Sequence, residues 1–200
     1  VKLDADATIQ WTKTIGDSGA ESGNAVIQTN DGGYVICGST NSFGSSDVFV
    51  IKLDGSGNLQ WSKTIGGSNG DGGTHIVQTS DGGYAIGGYT GSFGAGGTDV
   101  YAIKLDSMGS LQWTRTIGGS GYERAYSIIQ TSDGGYALAG YTGSFGAGSA
   151  DIYFVKLDGS GNLQATRTIG GSDSDTGNDI IQTFDGGYAI AGTRDSSNVP

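Results

Sequence analysis

A chain of 200 residues with 10 basic and 20 acidic side chains carries a formal net charge of −10. That balance excludes nucleic acid and anionic membrane surfaces as electrostatic partners, since both need a basic footprint. One cysteine permits no internal disulfide, and no apolar run approaches the ~20 residues of a membrane-spanning helix.

Taken in order, the chain opens on Val1–Asp4, continues to Gly16, and then enters a unit that recurs to the end. Its first half is a hairpin: Val26–Gly38, Ile76–Gly88, Ile128–Gly140 and Ile180–Gly192 each read as an apolar run, an Asp-Gly-Gly turn and a second apolar run. Asp-Gly and Gly-Gly supply the positive φ that tight hairpins need. Its second half is Lys-Leu-Asp, a short turn and a Leu-Gln-Trp run, starting at Lys2, Lys52, Lys104 and Lys156 with spacings of 50, 52 and 52 residues. The two-residue variation falls in the Ser/Gly/Phe loops between the halves. The 40 glycines therefore recur at fixed places and are turn chemistry, not low complexity.

The third repeat predicts four strands, at Ser127–Ser132, Tyr136–Thr142, Asp151–Asp158 and Asn162–Ile169. No 3.6-residue apolar period survives, and Val, Ile, Tyr, Thr and Trp dominate the runs. Four strands per ~50 residues is the signature of a propeller blade. The expected fold is all-β: one domain over 1–200, a four-bladed β-propeller with four-stranded blades. Because the chain opens inside a third strand and stops after a second, the N-terminal hairpin is expected to close the ring by joining the C-terminal blade (1–16 with 172–193). The alternative is strand-swapped closure between subunits.

The Asp-Gly-Gly-Tyr-x-Ile-x-Gly, Asp-x-Tyr-x-x-Lys-Leu-Asp and Trp pattern resembles kelch-type propeller repeats. It is still more similar to the Gly-rich propeller repeats of bacterial and archaeal secreted and cell-surface proteins. The resemblance implies a fold and an extracellular or cell-surface setting rather than an activity. The chain departs from it in having only four repeats, and in Ala165 where the other copies carry Trp11, Trp61 and Trp113.

Candidate sites lie mostly in the longer loops, expected on the face opposite the tight turns. Glu21, Asp71, Glu123 and Asp175 occupy one repeat position and would ring a central channel. They are the candidate metal set, with Ca²⁺ as the ion and no other cofactor; the alternative is that each accepts N–H bonds within its own loop. The Asp54-Gly-Ser-Gly-Asn58 loop begins like an EF-hand but lacks its sixth-position Gly, and reads as a hairpin turn. Phe43, Phe93 and Phe145 recur in the Ser-Phe-Gly loops, where the last copy has Arg194-Asp195; they either plug their blades or form a stacking set. Tyr122, Arg124 and Tyr126 cluster in the third repeat alone and are the contact candidates. Cys37 sits where the other copies have Gly87, Ala139 and Ala191, a small buried position, and His75 has no repeated partner. The Lys of each Lys-Leu-Asp unit is expected to bridge to Asp47, Asp99 or Asp151. No catalytic residue is predicted.

The functional expectation is a non-catalytic structural or interaction module, the subunit of a surface assembly or filament. Its expected partners are copies of itself, other surface proteins or glycans. A glycan-binding propeller and a polysaccharide-cleaving enzyme are the alternatives.

Overall fold

The structure, a computed structural model, describes residues 1–194. It is all-β. Three four-stranded antiparallel sheets follow one another in the chain. The first contains β3 (Glu21–Gln28), β4 (Tyr34–Thr40), β5 (Asp47–Leu53) and β6 (Leu59–Ile65). The second contains β7 (Asp71–Gln78), β8 (Tyr84–Thr90), β9 (Asp99–Leu105) and β10 (Leu111–Ile117). The third contains β11 (Glu123–Gln130), β12 (Tyr136–Thr142), β13 (Asp151–Leu157) and β14 (Leu163–Ile169). Two-stranded sheets flank them: β1 (Lys2–Leu3) with β2 (Ile9–Trp11), and β15 (Asp175–Gln182) with β16 (Tyr188–Arg194).

The sheets stack face to face, so the core lies between sheets rather than within any one. Val35, Val48 and Val50 meet Ile76, Ile86 and Ile103 at one junction, and Ala102 and Val100 meet Ile128, Leu138 and Val155 at the next. A middle sheet covered on both faces should lose the alternation of a half-exposed strand. It does: all seven residues of β9 are buried, whereas the outer strand β10 opens with two exposed residues.

Each tryptophan pegs two neighbouring sheets together. Trp61 lies 5.8 Å from the Tyr84 ring of the following sheet, and Trp113 lies 5.5 Å from Tyr136. The same rings press on a glycine in the following sheet's outer turn, Trp61 on Gly109 and Trp113 on Gly161. Those glycines have φ of 78° and 79°, which a β-carbon would resist.

The innermost strand starts earlier than its sequence suggests. β11 begins at Glu123 and ends at Gln130, with Thr131 and Ser132 in the turn. A bulge explains the difference: the register skips Tyr126, and likewise Asn24, Thr74 and Asn178 in the other copies. The extra residue breaks the alternation that would have marked the strand.

The expected closure is not formed. Among the described residues, β1–β2 and β15–β16 are separate two-stranded sheets with no pairing between them. Instead β2 stands beside the first full sheet, Trp11 lying 5.7 Å from Tyr34 and against Gly57, as the outer strand of a preceding sheet would. Each end of the array is thus half a sheet.

Candidate functional site

The tight turns gather at one end of the sheets and the variable loops at the other. At the tight end, each buried lysine holds the turn of its own sheet. Lys52 Nζ reaches Asp31 at 2.9 Å, Lys104 reaches Asp81 at 3.0 Å and Lys156 reaches Asp133 at 3.0 Å. This corrects the expected pairing with Asp47, Asp99 and Asp151. The lysine runs along its strand toward the Asp-Gly-Gly turn, where it also donates to the carbonyl of the next residue. The EF-hand-like loop is a turn: Asp54 accepts the backbone N–H groups of Asn58 and Ser56 at 2.9 and 2.8 Å, and these bonds lower its pKa.

At the variable end, the four repeated acids each serve their own loop. Asp71 accepts from Gly67 N–H (2.8 Å) and Ser92 Oγ (2.7 Å); Glu123 accepts from Gly119 N–H (2.7 Å) and Thr142 Oγ1 (2.8 Å). Glu21 accepts from Thr40 and Ser42, and Asp175 from Gly171 N–H, with Arg194 3.8 Å away. Among the described residues no three His, Cys, Asp or Glu side chains form a metal-holding group, so the expected four-fold ring is not assembled. Their positions at separate sheet junctions keep them apart.

The structure brings together a different pairing. A β-carbon at Gly66 would strike both Asp47 and Asp71, at Gly118 both Asp99 and Glu123, and at Gly170 both Asp151 and Asp175. Two carboxylates therefore meet at each junction. At the first, Asp47 Oδ1 and Asp71 Oδ1 are buried without hydrogen-bond partners among the described residues. Asp99 accepts from Ala95 N–H at 3.0 Å, but the corresponding loop before Asp47 is two residues shorter. Burial, and then the charge of Asp71, push the Asp47 carboxyl above its ordinary range. Sequence alone could not pair these acids, because they lie in different sheets.

Of the aromatic candidates, Arg124 and Tyr126 do come together. Arg124 lies 4.2 Å from the Tyr89 ring and 5.4 Å from Tyr126, which itself lies 6.0 Å from Tyr141. Tyr89 and Tyr141 were not legible as part of this cluster. Tyr122 stands apart and is 63% exposed. Phe93 and Phe145 rest on Tyr101 and Tyr153 of their own sheets, at 6.0 and 5.9 Å, while Phe43 is the most exposed of the three. Asp195, beside Arg194 in the last copy, lies outside the described residues.

No protein-family model matches the chain, and no curated protein matches it in sequence.

Cys37 is buried, and burial pushes its thiol up to about 12. His75 Nδ1 sits 3.1 Å from the Ile128 carbonyl of the adjoining sheet. No helix of the described residues is long and apolar enough to cross a membrane. What remains open is the two ends. A cleft of about 640 Å³ separates the β1–β2 hairpin from the first full sheet, lined by Trp11, Val26, Ile36 and Ile51. A second, of about 260 Å³, lies on the free face of β15–β16.

Proposed function

We propose that the chain is a non-catalytic structural module of an extracellular or cell-surface assembly, built on a kelch-like, Gly-rich propeller repeat, and that it associates with further copies of itself. The observation that carries this reading is the apolar surface that the first and last described sheets leave open. Val26 is 64% exposed where its counterparts Ile76 and Ile128 are fully buried, and Ile181 is 57% exposed. Apolar β edges left open are templates for pairing with another chain. The stacked sheets with their inward-facing tyrosines and lysines supply a rigid body.

Sedimentation velocity across a hundredfold concentration range tests the reading, with negative-stain electron microscopy of the concentrated sample. The expected result is mass growing with concentration. A monomer throughout refutes it.

A further inference from the structure

The two ends of the chain are complementary halves of one sheet. In each full sheet the second strand pairs with the third in a fixed register: Tyr34 opposite Leu53 and Val35 opposite Lys52, Tyr84 opposite Leu105 and Ala85 opposite Lys104, Tyr136 opposite Leu157 and Ala137 opposite Lys156. β16 is a second strand without a third, and β1 is a third strand without a second, among the described residues. The same register would set Tyr188 opposite Leu3 and Ala189 opposite Lys2.

Four details fit that junction. First, every full sheet carries a lysine–aspartate clamp, and the fourth clamp is divided between the ends. Lys2 Nζ donates to the Leu3 carbonyl, as its counterparts do to theirs, but its second partner is Gln10 at 3.2 Å. Asp185 accepts from Thr183 and Gly187 N–H, as Asp31, Asp81 and Asp133 do from their own turns, but no lysine of the described residues reaches it. Second, the turn residue before each such aspartate donates its N–H to a glutamine of the next sheet: Asn30 to Gln78, Ser80 to Gln130, Ser132 to Gln182, at 2.8–2.9 Å. The unmatched pair is the N–H of Phe184, whose side chain is wholly exposed, and Gln28. Third, the Trp-on-Gly peg is kept at Trp11–Gly57, Trp61–Gly109 and Trp113–Gly161. The one remaining pairing is Ala165 with Ala7, where the large residue and the glycine that makes room for it are lost together. Fourth, the cleft beside Val26 and Ile36 lies between β1–β2 and the first full sheet, which is where the missing inner strands belong.

We propose that the β15–β16 hairpin of one copy inserts beside the β1–β2 hairpin of the next, β16 pairing with β1, so that two chains complete one four-stranded sheet and the copies join head to tail. This rests on the self-association proposed above and names its joint. The occupant is a second copy because β15–β16 carries the aspartate of the divided clamp, the unmatched Phe184 N–H and the register that β1 and Gln28 complete. A heterologous contact of this kind propagates.

Charge exchange tests it on the whole chain. Lys52 and Lys104 are only 2% exposed, so at a formed joint Lys2→Asp would bury a second carboxylate against Asp185. Lys2→Asp and Asp185→Lys, each confirmed folded by circular dichroism, are expected to weaken association at least about tenfold. Mixed one to one, unlike copies again set a lysine against an aspartate at every joint, in one direction through the native pair and in the other through the exchanged pair. The mixture is therefore expected to recover the parental growth of mass, with the two variants alternating. If the parent chain associates but either single variant does so equally well, or the mixture stays monomeric, this joint is wrong while self-association stands. If the parent never associates, the broader reading falls with it. If a chain carrying both Lys2→Asp and Asp185→Lys recovers parental stability as a monomer, the chain closes on itself and the proposal is overturned.

Discussion

Gly109→Ala probes the peg that holds successive sheets in place. Gly109 has a φ of 78°, and a β-carbon there would lie 2.9 Å from Trp61 Cε3 and 3.0 Å from Cδ2. Two costs follow. An alanine held in the left-handed region loses about 1 kcal/mol relative to glycine. Forcing the indole back from a contact it shares with Tyr84 adds about 1–3 kcal/mol of overpacking. With Trp61 present, the substitution should therefore cost about 2–4 kcal/mol; in a Trp61→Ala background only the backbone cost, about 1 kcal/mol, should remain. The coupling of about 1–3 kcal/mol can be read from urea unfolding followed by far-ultraviolet circular dichroism, provided the m-value is unchanged across the four proteins. Equal costs in both backgrounds would refute the peg. So would a cost below about 0.5 kcal/mol with Trp61 in place.

Asp47→Asn should raise stability at pH 7 in metal-free buffer. The folded protein holds the Asp47 proton to higher pH than the unfolded chain, so this group's contribution falls as pH rises above the ordinary value of 3.8, and the amide removes that loss. A less stable variant at pH 7 would contradict this. Asp81 has the opposite sign: burial pulls its carboxyl up, but Thr79, Gly83 N–H and Lys104 outweigh it and hold it at about 2. Its contribution is present above 3.8 and is lost as pH falls toward 2, and Lys104→Met should flatten that part of an acid titration of stability. Ala7 is the one non-glycine with positive φ among the described residues, at 61°, where the equivalent turns have Gly57, Gly109 and Gly161. Ala7→Gly should stabilise the β1–β2 hairpin by up to about 1 kcal/mol. Amide exchange at Trp11 would then slow by up to about fivefold, and unchanged exchange would count against strain there.

Local chemistry was legible because the repeat wrote it several times. Asp-Gly-Gly between apolar runs specifies a hairpin through backbone sterics alone, and the 50–52-residue spacing specifies four-stranded units. Cys37 was readable as a small buried residue from Gly87, Ala139 and Ala191 at the same place. The strand starts at Glu21, Asp71, Glu123 and Asp175 were not, because a bulge interrupts alternation and leaves no periodic trace. Nor were the partners of groups that act between sheets. Within one sheet, Lys52 reaches Asp31 because its side chain runs along β5 to the Asp-Gly-Gly turn; between sheets, Asp47 meets Asp71 because face-to-face stacking sets that distance, while sequence spacing fixes only neighbours within a strand. Closure was beyond the sequence for the same reason. The register of the two half-units says that they match; whether one chain can bring them together depends on the angle accumulated between stacked sheets, which is a property of the packed tyrosines, tryptophans and glycines and of no single segment.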